Sequence, residues 1–136
     1  MSKSVRGVLL DVNTGELQVV TLDGSLQGFY DALDCSCIDI VDRTINGRPY
    51  TIVCDDEGLL KDGAKLSAIS EDNDPMLVGN LFITNSEYTP DGAALADLAD
   101  DDISHIKGAA RQYLDARDDE ELYLRTLLTC VSYWPT

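Results

Sequence analysis

Apolar positions recur along the chain at two different spacings. The runs Val5-Arg6-Gly7-Val8-Leu9-Leu10 and Glu16-Leu17-Gln18-Val19-Val20-Thr21-Leu22 are short and partly alternating. They flank Asp11-Val12-Asn13-Thr14-Gly15, whose Asn and Gly supply turn conformations, and so predict a β-hairpin. Ser25 follows as a helix N-cap, and Leu26, Phe29, Tyr30 and Leu33 fall at i, i+3, i+4 and i+7, which predicts a helix of about two turns. Cys35 to Val41 and Tyr50 to Cys54 predict a second hairpin across the polar segment Asp42 to Pro49, which holds Asn46-Gly47. Leu77 to Thr84 reads as a last strand entered through a bend at Gly79.

From Thr89-Pro90-Asp91-Gly92 onward Ala, Asp and Leu dominate and the spacing becomes helical. Asp100 is placed to cap a helix with Ile103, Ile106, Ala110, Tyr113 and Leu114 inward, and Asp101 and Asp102 sit near the positive end of its dipole. Asp118-Asp119-Glu120-Glu121 starts a final helix with Leu124, Leu127, Leu128 and Val131 on one stripe, closed by Tyr133-Trp134-Pro135. The expected fold is α+β in a single domain over residues 1–136. A β-rich part (1–84) supplies a mostly antiparallel sheet of about five strands with one short helix. A helical part (91–136) adds two C-terminal helices that cover one face of the sheet or reach a second copy, with Tyr133 and Trp134 as docking contacts.

At 136 residues and 44% hydrophobic content the chain has material for one core. Its charge changes the picture more: ten Lys and Arg against 25 Asp and Glu give −15. Residues 1–90 hold 15 acids and 6 bases, and residues 91–136 hold 10 and 4, so the acidity belongs to the whole body and is no tail. Such a field repels phosphate, which argues against direct contact with nucleic acid or an anionic membrane. No window reaches the roughly 20 apolar residues of a membrane span, and Met-Ser-Lys-Ser opens without the apolar region of a signal peptide. The expectation is a cytoplasmic protein whose cysteines (Cys35, Cys37, Cys54, Cys130) are reduced core thiols.

Candidate chemistry is sparse. The one histidine, His105, lies between Ile103 and Ile106 and reads as a boundary residue of its helix more readily than as a base beside a cysteine. Cys35, Cys37 and Cys54 could lie near one another, but C-x-C within a strand is a poor zinc spacing and a fourth ligand is missing. Asp72, Asn73 and Asp74 lack the spacing of a calcium loop, and no glycine-rich phosphate cradle exists. No metal or other cofactor is implied. Asp55, Asp56 and Glu57 follow a strand end and precede Gly58, as general acid/base groups often do, and match a plain acidic turn equally well. Together with Asp101, Asp102, Asp118, Asp119 and Glu120 they are the candidate binding carboxylates. Arg43, Arg48 and Arg111 are the candidate clamps for a small anionic ligand.

The order hairpin, helix, hairpin, followed by Asp56-Glu57-Gly58, resembles the domain of unknown function 3846 family. Gly24-Ser25-Leu26, Ile38-Asp39-Ile40-Val41 and Gly79-Asn80-Leu81-Phe82-Ile83 carry the same resemblance, which covers roughly residues 5–115. It implies a genomic setting, that of accessory proteins of phages and mobile elements, more than an activity. Joined to the charge, it suggests a non-enzymatic acidic protein that binds and inhibits a host protein, defence-related and nucleic-acid-binding, by imitating rows of phosphates. A homodimer through the C-terminal helices would be compatible with that role. The alternatives are a protein that sequesters a small anionic, nucleotide-like signal through the three arginines, and an enzyme that uses the turn from Asp55 to Glu57.

Overall fold

The computed structural model describes residues 4–12, 14–57, 65–116 and 122–133. Eleven strands and two helices form among them: β1 (Val5–Asp11), β2 (Glu16–Leu22), α1 (Leu26–Leu33), β3 (Ile38–Ile45), β4 (Arg48–Asp55), β5 (Leu66–Ile69), β6 (Pro75–Val78), β7 (Leu81–Thr89), β8 (Gly92–Ala96), α2 (Asp100–Ala109), β9 (Ala110–Ala116), β10 (Leu122–Leu128) and β11 (Val131–Tyr133). The larger sheet has seven antiparallel strands in the order β11-β3-β4-β7-β1-β2, with β8 paired to the far end of β7. A second sheet has the order β6-β5-β10-β9.

The first hairpin forms with its predicted strands, Val5 opposite Leu22 and Asp11 opposite Glu16. The second is longer than the apolar runs suggested. Its strands continue through Asp42 and Pro49 until only Asn46 and Gly47 turn the chain, both at positive φ (48° and 82°), the conformation of a tight two-residue hairpin turn. Ser25 caps α1 by accepting from the Gly28 N–H at 3.0 Å.

Alternation places the core on both faces of the large sheet. Val8, Leu10, Ile52, Cys54, Leu81 and Ile83 point to the side where the second sheet and α2 lie, joined by Ala68, Ile103, Ile106 and Leu128. Their neighbours Leu9, Val53 and Phe82 point the other way, against Phe29 and Leu33 of α1. A strand covered on both faces has no polar side, which is why β4 is buried without interruption from Tyr50 to Asp55.

The C-terminal third corrects the expected fold class. Two sheets with eleven strands replace one sheet of about five, and there are two helices in all among the described residues. The Thr89 to Gly92 segment is a hairpin turn between β7 and β8, not the entry to a helical part. Among the described residues beyond it, only α2 is helical. It ends at Ala109, where Ala110 turns extended (φ −81°, ψ 140°) and the chain runs directly into β9. The segment read as a final helix is β10 and β11, with Cys130 at positive φ (57°) between them. The described residues therefore hold one C-terminal helix, α2, where two were expected.

The reason is tertiary. Leucine and alanine favour helix weakly, and residue-by-residue pairing of β9 with β10, from Leu122 opposite Ala116 to Leu128 opposite Ala110, overrides that preference. β10 also pairs in parallel with β5 at Leu128 and Ala68, and β11 closes the edge of the large sheet against β3. The presumed helical stripe is split: Leu128 and Val131 are buried, while Leu124 is 55% exposed. Of the two proposed docking aromatics, Tyr133 stacks beneath the Arg43 guanidinium, 4.5 Å from its ring centre, and Trp134 lies outside the described residues.

Gly15 joins the two sheets. Its carbonyl accepts from the Thr126 N–H at 3.0 Å and the Thr126 hydroxyl at 2.8 Å, and its φ is 76°. A Cβ there would stand 2.6 Å from the Leu124 carbonyl oxygen, whereas one on Gly47 would meet nothing within 4 Å. Both Gly→Ala changes carry the positive-φ penalty of about 1 kcal/mol, but Gly15→Ala must also push the turn off β10. In urea unfolding, Gly15→Ala should therefore lose roughly 1–3 kcal/mol more than Gly47→Ala, the usual cost of overpacking. Equal losses would show that the turn does not dock on β10.

Candidate functional site

Among the described residues, the carboxylates at the start of α2 are the predicted site residues that the structure brings together with a predicted clamp. Asp100, Asp101 and Asp102 form the first turn of α2, where the helix dipole favours negative charge, and the N-cap Ala99 offers no side-chain hydrogen bond. Three adjacent acids still repel one another, and two strand arginines answer them. Arg6 on β1 reaches Asp100 at 3.2 Å and also donates to the Leu98 carbonyl. Arg48 on β4 reaches Asp101 at 3.6 Å and Asp102 at 3.1 Å.

Asp102 is the centre of this arrangement. Its side chain is 16% exposed, against 93% for Asp100. One carboxylate oxygen accepts from Arg48 and from the Tyr50 hydroxyl, each at 3.1 Å, and the other accepts from the Asn85 amide at 3.1 Å. Burial alone would raise the Asp102 pKa, but the bonds from Asn85, Tyr50 and Arg48 together outweigh it and hold the group below the usual carboxylate range. Burial pushes Tyr50 up to about 12, so it remains a donor. Helix α2, β4 and β7 are pinned to one another by this one side chain.

The other candidate carboxylates lie apart. Asp55, at the opposite end of β4 from Arg48 and about 23 Å away at the usual strand rise, is buried and accepts from the Glu57 N–H at 2.9 Å. The Asp56 N–H donates to the Cys37 carbonyl, and both Asp56 and Glu57 are exposed. This closes a turn by local backbone bonds. Asp118, Asp119 and Glu120 lie outside the described residues, as does Gly58.

The three proposed anion clamps point to the chain's own acceptors. Arg43 donates to the Asp42 carbonyl at 2.8 Å and stacks on Tyr133. Arg48 is held by the aspartates, and Arg111, in the second sheet, donates to the Gly108 and Ala110 carbonyls at 2.7 and 2.8 Å. The buried Arg125 donates to the Leu66 carbonyl. His105 faces the Ile45 carbonyl at 2.8 Å, which fixes the proton on Nε2. Cys54 is buried and its pKa is pushed up to about 11 by desolvation, whereas Cys37 is exposed and so is not the core thiol its sequence surroundings suggested. Among the described residues no group of three or more His, Cys, Asp or Glu side chains could hold a metal ion. Among the same residues no helix is long and apolar enough to cross a membrane.

Two residues central to the structure escape a sequence reading. Asn85 gives no signal, since it sits in a strand and meets Asp102 only through the fold. Asn80 is buried and uses both ends of its amide, accepting from the Val12 N–H at 2.8 Å and donating to the Leu33 carbonyl at 3.0 Å. It thereby ties the end of β1 to the end of α1, and it does so within Gly79-Asn80-Leu81-Phe82-Ile83.

Residues 5–111 match the family model described as Domain of unknown function (DUF3846). No curated protein and no solved structure matches the chain.

The lowered pKa of Asp102 sets a pH dependence. Its contribution to stability is fully present above the ordinary carboxylate pKa of 3.8 and is lost as the pH falls through its lower folded-state value. Asp102→Asn should cost about 2 kcal/mol at neutral pH, where charge-assisted hydrogen bonds are removed, and the gap between the two proteins should narrow below about pH 4. Thermal unfolding across pH reads this directly. A gap that stays constant into strong acid would mean that Asp102 is not the charged centre of the junction.

Proposed function

Since this chain belongs to the DUF3846 family, we propose that it is a non-catalytic acidic binding protein. Its carboxylate surface engages the basic, nucleic-acid-facing surface of a host protein and inhibits it. The setting that goes with this reading is the bacterial cytoplasm, with a phage or other mobile element as the source and a defence-related, DNA-binding protein as the target.

One observation carries the reading. Of the carboxylates whose side chains are described, all except Asp11, Asp55 and Asp102 are exposed, while Arg6, Arg43, Arg48, Arg111 and Arg125 each donate to an acceptor of their own chain. The described carboxylates are therefore presented largely outward over a folded body, where they can occupy a groove shaped for phosphates. The residues that carry the family resemblance support a non-catalytic role, because they serve the fold. Ser25 caps α1, Asp55 and Asp56 close a turn, and Asn80 pins two elements together. The same engagement of Arg43, Arg48 and Arg111 disfavours a pocket for a small anionic signal.

The test is competition. Immobilised protein is exposed to bacterial lysate at low ionic strength and then washed with duplex DNA or with salt. The retained host protein should be a nucleic-acid-binding one, released by either wash and blocked from DNA while bound, with its affinity falling steeply as salt rises. A retained protein that still binds DNA, or retention indifferent to salt and to DNA, would overturn the proposal.

A further inference from the structure

β2 ends the large sheet on one side, and the bonds made by β1 show which backbone groups of β2 are left over. The Arg6 N–H donates to Asp97 at 2.7 Å. Its carbonyl accepts from the Leu98 N–H at 2.9 Å and from the hydroxyl of Thr84 on β7 at 3.2 Å, all on the side of β1 away from β2. Alternation along β1 therefore turns Val5, Gly7, Leu9 and Asp11 toward β2, where they exchange hydrogen bonds with Leu22, Val20, Gln18 and Glu16. Leu17, Val19 and Thr21 then point their N–H and carbonyl groups out of the sheet edge. Among the described residues β1 is the only strand that pairs with β2.

The other sheet edges among the described residues carry the usual guards against edge-to-edge pairing. β11 has three residues and β8 has five. β6 has four, opens on Pro75 and is broken by register shifts, and β9 carries Arg111 and Asp115. β2 has none of these features. It runs for seven residues in unbroken register, and Leu17 to Leu22 carry no charge in a chain of which 26% is charged. Its side chains also bring both core layers up to the edge. Leu17 packs with the core on the side of the second sheet, Val20 and Leu22 pack with the core beneath α1, and Val19 is 39% exposed. A strand added here would extend both layers.

We infer that β2 is a dimer interface: two copies of the chain pair β2 edge to edge, antiparallel, about a two-fold axis through Val19. The register follows from the outward groups. With Val19 opposite its equivalent, Leu17 of each copy faces Thr21 of the other, and every outward N–H meets an outward carbonyl. The charges select a second copy over other occupants. Glu16, the one charged residue of β2, falls opposite Leu22 of the other copy. The two Glu16 carboxylates are then about 20 Å apart at the usual strand rise, well beyond a Debye length of about 8 Å. A basic peptide finds no carboxylate from Leu17 to Leu22, whereas an identical neutral strand matches it group for group. The pairing uses backbone and neutral side chains, so it stands or falls independently of the acidic-binder reading.

The test is sedimentation equilibrium of the full chain, joined to residue-resolved amide exchange at high and low protein concentration. Wild type should reach twice the chain's mass. Because both copies are acidic, association should strengthen as salt rises, the opposite of the proposed host-protein contact. The Leu17, Val19 and Thr21 amides should be protected in the concentrated protein and exchange freely on dilution, while those of Gln18 and Val20 stay protected in both. Val19→Glu and Val19→Lys each set like charges across the axis and should weaken association at least tenfold. An equal mixture of the two variants should restore it, since Glu then faces Lys. Wild type that is monomeric at every concentration, a dimer indifferent to both variants, a mixture that fails to associate, or concentration-dependent protection elsewhere would each overturn the inference. The exchange measurement uses wild type alone, so it decides the matter even where a substitution costs stability.

Discussion

A single partly buried carboxylate, Asp102, fixes how α2 sits on the large sheet. It accepts hydrogen bonds from Arg48 and Tyr50 of β4 and from Asn85 of β7, and it sits in the first turn of α2. Burying a charge is unfavourable unless it is paired and fully bonded, and this one has three donors from two strands. Asn85 is also the residue at which β7 leaves β4 and takes β8 as its partner. The junction therefore fixes the seat of α2 at the point where β7 exchanges β4 for β8.

The internal use of cations follows from the same constraint. A chain with ten basic and 25 acidic residues has few guanidiniums to place. Two of them, Arg6 and Arg48, hold the acidic start of α2, and Arg43 covers Tyr133 at the edge of the large sheet. What remains outward among the described residues is largely carboxylate, so the fold itself produces the predominantly negative surface on which the proposed function rests.

Local signals were legible where local chemistry decides the structure. The Asn46-Gly47 turn, the Ser25 cap and the start of α2 near Asp100 could all be placed, because each depends on a few adjacent residues. What could not be read was non-local. Ala93 to Ala96 carries no β-branched residue and becomes strand only by pairing with β7, and β10 looks helical until β9 and β5 are set beside it. The candidate site shows the same division. Asp101, Asp102 and Arg48 were picked out as separate binding groups on opposite sides of the charge ledger, and their pairing with one another appeared only when β4 was brought under α2. The role of Asn85, which depends on where a ladder ends, left no mark in the sequence.

Amide hydrogen exchange on wild type and Asp102→Asn tests most directly whether this carboxylate seats α2 on the large sheet. Loss of the junction should accelerate exchange in the first turns of α2, in β7 beyond Thr84 and in β8, while Val8, Ile52 and Ile83 in the core strands keep their protection. Exchange that is unchanged throughout, or that rises equally in every strand, would contradict the account and place the hold on α2 elsewhere.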